Sequence, residues 1–425
     1  MDDNEFALIK SLIKQNEDMR LIAVGDDDQN IYEFRGSDLK HLNELVKYYG
    51  AKKYEMTENY RSSKTIVEFA NSYVQSISSR LKTNPIISMS NSEGNLQLVK
   101  HNTSNMEQCI VNDILSNKSQ GSTCVLTNTN DDALKLLGLL IKNNIRAKLI
   151  QSIDGFQLYN LVEMLYFIDK IDSKLNSPVI SDEIWNFAKK ELQNKYSKSK
   201  CLDNCLELIK TFENINRTKY RTDFEEFVKE SKFEVFYPKE KNSIFVSTIH
   251  KAKGREFDTV YIMLNNFSTL TDESKRQLYV AITRAKQNLI IHYNNDLFNN
   301  IKLPKGTEIK YDNTKYDDPK EITLQLTHKD IYLDFFKYKT KTVNYLCSGD
   351  FLEIENEYLI KKFNNNTYTV AKLSKNQQEK IKSIIEKGYK PINAEINFIV
   401  KWKGKDNEEE INIILPQIHF VSTKQ

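Results

Sequence analysis

Glycine and proline are scarce in this chain, 12 and 7 in 425 residues, which argues against long disordered tails. Cysteine is scarcer still. Cys109, Cys124, Cys201, Cys205 and Cys347 are odd in number and scattered, a pattern that excludes a disulfide framework and fits reduced cytosolic thiols. Only Cys201 and Cys205 lie close, and no second pair or histidine cluster near them completes a zinc motif, so no metal site is expected. No apolar run approaches the roughly 20 residues of a membrane span, and no membrane partner is expected. The first residues show no basic stretch leading into an apolar one, so a cytoplasmic rather than secreted protein is expected. Charge of one sign is also missing: the net +3 comes from 61 basic and 58 acidic side chains. Any nucleic-acid contact must therefore come from local patches rather than from the global field.

What is present is alternation. Apolar spacing over residues 6–13 predicts a helix, and Leu21 to Val24 reads as a short buried strand. Leu39, Leu42 and Val46 share a helical face that stops at Gly50. A further helix starts at Ser62 or Ser63 and presents Ile66, Phe69, Ala70 and Tyr73. After Gly94 a similar series follows: a helix around Val111, a strand at 124–127, a helix at 133–141 and a strand at 146–150. This is the grammar of a parallel sheet with helices on both faces. From Phe156 onward strand signals fade into helices, and strands resume at 244–248, 259–263 and 288–292. Residues 302–320 read as a linker. Beyond it, alternating segments surround a helix opened by Ser374 and Gln377, with the spacing of a capping box.

Four ordered motifs carry the chemistry. Gly25-Asp-Asp-Asp-Gln29 ends the first strand in a polar loop and is followed by Tyr32, Phe34, Arg35 and Gly36. Aromatic faces stack on any base, at roughly 1–3 kcal/mol each. Asn59-Tyr-Arg-Ser62 offers an arginine, whose rigid bidentate fork suits a phosphate better than lysine does. Thr248-Ile-His-Lys-Ala-Lys-Gly-Arg-Glu-Phe257 places Gly254 where a turn brings backbone close to a ligand. Tyr279-Val-Ala-Ile-Thr-Arg-Ala-Lys286 reads as a helix delivering Arg284.

In this order the four motifs resemble those of the UvrD/Rep family of superfamily 1 DNA helicases, over about residues 3–295. The resemblance implies that Gln29 senses the γ-phosphate, Arg61 reaches it, and Arg284 acts as an arginine finger. It implies that Tyr60 packs on adenine, with Gly254 and Glu256 at the nucleotide and Glu256 accepting from the ribose. Tyr32 and Phe34 would stack on single-stranded bases, with Arg35 beside a backbone phosphate and Thr248 and His250 on DNA. Phe34 stands where the family usually has tryptophan, and Arg255 where it usually has leucine.

The implied fold class is α/β, with RecA-like P-loop NTPase motor domains on a parallel sheet, a helical insertion and a small C-terminal α+β module. Expected domains are a C-terminal remnant of the first motor domain at 1–85 and a second motor domain at 86–155 and 240–300. A helical insertion at 156–239, a linker at 301–324 and an accessory module at 325–425 complete the layout. Within that module Tyr332, Phe335, Phe336 and Tyr338 read as an amphipathic helix burying its aromatics.

None of the 12 glycines sits in the phosphate-loop pattern G-x-x-x-x-G-K-[ST], and no Asp-Glu pair follows a hydrophobic strand before residue 20. By resemblance both would precede residue 1. The expected activity is that of an ATP-dependent DNA helicase of repair or replication, moving 3′ to 5′ along single-stranded DNA and opening duplex. ATP with Mg2+ belongs to the complete enzyme, and this chain alone is not expected to bind either tightly. The expected partners are DNA and the missing N-terminal motor half, in cis or in trans. The alternative is a non-enzymatic DNA-binding or partner-binding scaffold derived from such a motor. Phosphoryl transfer without the phosphate-loop lysine lacks its main charge stabilisation. The purified chain is therefore expected to show no DNA-stimulated ATPase above background, and steady turnover lost on Arg284→Ala would contradict this.

Overall fold

The computed structural model describes residues 2–16, 18–31, 40–103, 105–117, 121–150, 156–231, 243–363, 366–404 and 410–424. They form two compact units, Met1–Leu149 with Asn242–Asp318, and Ile150–Lys241 with Pro319–Gln425. Among the described residues no helix is long and apolar enough to cross a membrane.

The first unit is built on seven strands: β1 (Asn95–His101), β2 (Thr123–Thr127), β3 (Ala147–Leu149), β4 (Ile244–Thr248), β5 (Phe257–Leu264), β6 (Ala285–Tyr293) and β7 (Glu308–Asp312). They lie in the order β7-β1-β6-β5-β2-β4-β3, with every pairing parallel. Parallel strands are covered on both faces, and β2 accordingly is buried at all five positions. The helices Glu107–Ser116 and Asn130–Lys142 contribute Ile110, Val111, Leu136 and Leu140 to one core with Val99, Val125, Met263 and Ile290 of the strands. Thr129 caps the second of these, its hydroxyl accepting the Asp132 N–H at 3.1 Å. The helix Lys64–Val74 buries Ile66, Phe69, Ala70 and Tyr73, the four positions its spacing marks, and sets Phe69 and Tyr73 against Phe298.

Two expectations are corrected. Residues 21–24 form no strand, and Ile22 and Val24 are 88% and 87% exposed. An apolar run becomes a strand only beside another strand, and among the described residues none pairs with it. Conversely, Glu308–Asp312, inside the stretch read as a linker, pairs with β1 as an edge strand. Its outward residues can be charged because one side of an edge strand meets solvent.

The second unit joins the helices Val162–Asp172, Asp182–Lys195, Leu202–Ile215 and Arg221–Glu230, and Lys375–Glu386 further on, to a six-stranded antiparallel sheet. Its strands are β8 (Glu321–Gln325), β9 (Phe351–Glu355), β10 (Tyr358–Phe363), β11 (Asn366–Lys372), β12 (Tyr389–Trp402) and β13 (Ile411–Ser422), in the order β8-β13-β12-β9-β10-β11. One core runs through both: Trp185, Phe212 and Phe224 of the helices belong to the same buried cluster as Val400, Ile414 and Phe420 of the sheet. Trp185 packs edge-on to Phe167 and Phe224, with centroids 5.1 and 4.9 Å away. In place of the amphipathic helix read over Tyr332 to Tyr338 there is a 3-10 turn, Leu333–Tyr338, in which Phe336 is buried and Tyr338 is 86% exposed. Side chains three apart eclipse in such a turn, so only one of the four aromatics reaches full burial.

Glu163 is fully buried in this core and accepts the Ser199 hydroxyl at 2.6 Å. Burial raises its carboxyl above the ordinary 4.5, with the Ser199 bond opposing. Its folded pKa exceeds its unfolded one, so the folded unit binds the extra proton and loses stability as pH rises from the ordinary value through the raised one. Glu163→Gln, which keeps an acceptor without the charge, should flatten the fall in Tm as pH rises above the ordinary carboxyl value of 4.5 and raise Tm at the alkaline end. A steeper fall in the variant would refute the assignment.

Candidate nucleotide and nucleic-acid site

Arg284 sits between the end of the helix Asp272–Ile282 and the start of β6, and is 2% exposed. A guanidinium survives such burial only if its N–H groups are met. Nε donates to the Val280 carbonyl at 2.9 Å and Nη1 to the Arg255 carbonyl at 3.2 Å. Nη2 donates to Thr283 Oγ1 at 3.0 Å and to Gln29 Oε1 at 3.1 Å. Burial, and next the nearby Arg61 charge, push the guanidinium down to about 10.

Arg61 lies alongside, its Nε 2.5 Å from Glu256 Oε1, with both side chains about one-third exposed. The tetrapeptide that carries it is pinned at both ends. Asn59 Oδ1 accepts the N–H groups of Arg61 and Ser62 at 2.9 and 2.8 Å, an Asx turn. Ser62 Oγ donates to the Ala285 carbonyl at 2.8 Å, and the Ser63 N–H to the Lys286 carbonyl at 2.8 Å. Asparagine and serine are thus required to dock Arg61 on the entry to β6. A Cβ on Gly94 (φ +73) would fall 1.8 Å from Ser63 Oγ, so that glycine lets the two loops meet.

The acidic turn is a clamp rather than a solvated loop. Asp28 takes Arg80 Nε at 2.8 Å and Nη2 at 3.0 Å. Lys82 Nζ lies 2.5 Å from Asp26 Oδ1 and 3.0 Å from Asp28 Oδ2. Asp27 Oδ2 accepts the Leu81 N–H. Burial raises the Asp28 carboxyl, but the Arg80 bonds and the Lys82 charge outweigh it and hold it below the usual range. Asp26 Oδ2 in turn accepts Gln29 Nε2 at 2.8 Å, and the Gln29 carbonyl accepts Lys253 Nζ at 2.8 Å. A continuous path therefore runs Lys82–Asp26–Gln29–Arg284.

The sequence-predicted residues thus fall into groups. Gln29, Arg61, Glu256 and Arg284 come together where β5 and β6 begin. Tyr60 is 73% exposed, its hydroxyl turned back on the Glu58 carboxylate. Thr248 ends β4, and His250 Nε2 lies 3.3 Å from Gln277 Nε2 on the helix before Arg284. Gly254 takes φ +86, a conformation that disfavours side chains. Tyr32, Phe34 and Arg35 lie outside the described residues. Arg80, Lys82 and Lys253 were missed because isolated basic residues carry no signal until their carboxylate or carbonyl partners are known.

The family model of the UvrD-like helicase C-terminal domain matches residues 54–179 and 176–296, more than half of the chain. The chain belongs to the UvrD-like helicase family. The UvrD/REP helicase N-terminal domain model also matches, at residues 2–50. Similar proteins include the Gabija protein GajB of Bacillus cereus, 23% identical over 73% of this chain and 64% of that protein. The ATP-dependent DNA helicase PcrA of Staphylococcus epidermidis is 22% identical, over 68% and 52%. The putative ATP-dependent DNA helicase YjcD of Bacillus subtilis is 23% identical, over 64% and 48%. This UvrD-like chain thus spans between about half and two-thirds of those relatives' lengths.

The buried Asp28–Arg80 pair is what holds the Gln29 loop in place. Arg80→Ala leaves Asp28 with Lys82 alone and should destabilise the first unit by about 3 kcal/mol, the low end for breaking a buried pair. Urea unfolding measures this, and a change within about 0.5 kcal/mol, the range of ordinary surface substitutions, would contradict it.

Proposed function

We propose that this chain is the nucleotide-responsive and DNA-gripping part of an ATP-dependent DNA helicase motor that moves 3′ to 5′ on single-stranded DNA and opens duplex. The observation that carries the reading is the Arg284 guanidinium, buried and fixed on carbonyls yet turned by Nη2 onto Gln29 Oε1. ATP bound there would supply a γ-phosphate carrying negative charge. Gln29 Oε1 is the one side-chain amide acceptor on Arg284, and exchanging it for a phosphate oxygen frees Gln29 to report the change along Asp26 to Lys82. Arg61, released from Glu256, reaches the same phosphate, while Glu256 turns to the ribose and Tyr60, already exposed, lies on the adenine. Tyr32 and Phe34 stack on bases, Arg35 meets a backbone phosphate, and Thr248 and His250 complete the DNA contacts.

Magnesium does not fit the carboxylates at hand. Asp26, Asp27 and Asp28 are occupied by Lys82, the Leu81 N–H and Arg80. In this reading the metal ligands and the phosphate-loop lysine come from the partner motor half.

The test joins this chain to a segment bearing a phosphate loop and an Asp-Glu motif. Arg284→Ala should then lower DNA-stimulated ATPase by about 10³-fold or more while leaving DNA affinity within a few-fold, as for loss of an arginine finger. Phe34→Ala should weaken single-stranded DNA binding by about 1–3 kcal/mol, against an affinity that falls steeply with salt. Equal ATPase after removal of both Arg61 and Arg284 would assign the chain to the scaffold reading instead.

A further inference from the structure

At the opposite end of β6 from Arg284, eight residues on and so about 26 Å away along the strand, three potential metal ligands meet in the interior of the first unit. His101 closes β1 and His292 lies near the end of β6. His292 is registered against Val99, so its side chain shares a face with that of His101, two residues further on. The helix Glu107–Ser116 covers this face and brings Cys109 and, one turn later, Asp113. His101 and His292 are 1% and 0% exposed, and Cys109 is 8% exposed. His101 Nε2 is 3.0 Å from His292 Nδ1, which is 3.8 Å from Cys109 Sγ.

A tetrahedral ion with metal–nitrogen bonds near 2.05 Å and a metal–sulfur bond near 2.3 Å needs edges of about 3.3 Å between nitrogens and about 3.6 Å from sulfur to nitrogen. The observed spacings bracket those values.

The outer nitrogens make the stronger argument. His292 Nε2 faces Asp113 Oδ2 at 3.3 Å, and His101 Nδ1 faces Asp312 Oδ2 at 3.7 Å. Neither nitrogen makes a hydrogen bond in this arrangement. Asp312 also accepts the Tyr316 hydroxyl at 2.8 Å and the Thr314 N–H at 2.9 Å. Two neutral imidazoles sharing one inner hydrogen bond cannot suit both carboxylates. The ring that donates inward must present a bare nitrogen to its own carboxylate. With a cation between the inner nitrogens, both outer positions become N–H donors, each aimed at a carboxylate. This is the carboxylate–histidine–metal arrangement that orients ligands in metal centres.

We propose that His101 Nε2, His292 Nδ1 and Cys109 Sγ bind one borderline-soft divalent cation of the zinc class, with Asp113 and Asp312 orienting the two imidazoles. The site ties β1 and β6 to the helix above them. It is separate from the nucleotide site and does not rest on the helicase reading. Binding releases the thiol proton to solvent and forms three metal–ligand bonds, with no redox change.

The test uses the untagged full chain, because a histidine tag would itself take up metal. Refolded with zinc and dialysed, the native chain should retain about one zinc per molecule. Cobalt in its place should show a thiolate-to-metal charge-transfer band that Cys109→Ser abolishes. Asp113→Asn, which leaves the ligands intact, should weaken zinc about 10–100-fold in competition with a chromophoric chelator. Should Cys109→Ser fail to fold, the native stoichiometry and Asp113→Asn still decide. A folded native chain holding less than about 0.1 zinc, or zinc affinity unchanged in Asp113→Asn, would overturn the proposal.

Discussion

The start of β5 and β6 in the first unit is organised around a buried cation, Arg284. A guanidinium at 2% exposure must have its N–H groups met, and those of Arg284 are met by the Val280 and Arg255 carbonyls, Thr283 and Gln29. The four acceptors lie on three stretches of chain, so satisfying Arg284 fixes the end of one helix, the loop entering β5 and the acidic turn at once. The asparagine–serine docking of Arg61 onto the entry of β6 then follows from the same strand position. A buried charge has become the geometric reference for its surroundings.

The second unit depends on a different economy. Its helices and sheet share one apolar core, and one of the polar residues buried in this unit, Glu163, is tolerated because Ser199 meets one oxygen and a proton can neutralise the other. Trp185 of the helical segment and Phe398 of the antiparallel sheet belong to the same buried cluster.

Local periodicity made most helices and central strands legible. The spacing of Ile66, Phe69, Ala70 and Tyr73, or the apolar run at 124–127, reflects burial that neighbours in sequence share. What escaped was whatever depends on partners far away. Residues 21–24 have strand composition without a strand beside them, and Glu308–Asp312 has linker composition but lies next to β1. The shared core of the second unit joins segments that composition separates. The site was readable as a set of ordered motifs, whereas Arg80 and Lys82 gain meaning only from Asp28 and Asp26, more than fifty residues earlier. The histidine pair is hidden for the same reason, its members standing 191 positions apart.

The position of β1 also sets a schedule. Its neighbours in the sheet are β6 and β7 and no earlier strand. A ribosome adding about 5–20 residues per second needs about 10–40 s to pass from the end of β1 to the end of β6. During that interval the apolar run Leu96 to Val99 has been made and its pairing partners have not. The second unit's helices from Val162 to Glu230 are synthesised within that wait, between β3 and β4. The parallel sheet is therefore closed late, by its own C-terminal strands, and the nascent chain must keep an unpaired strand edge from finding another molecule first.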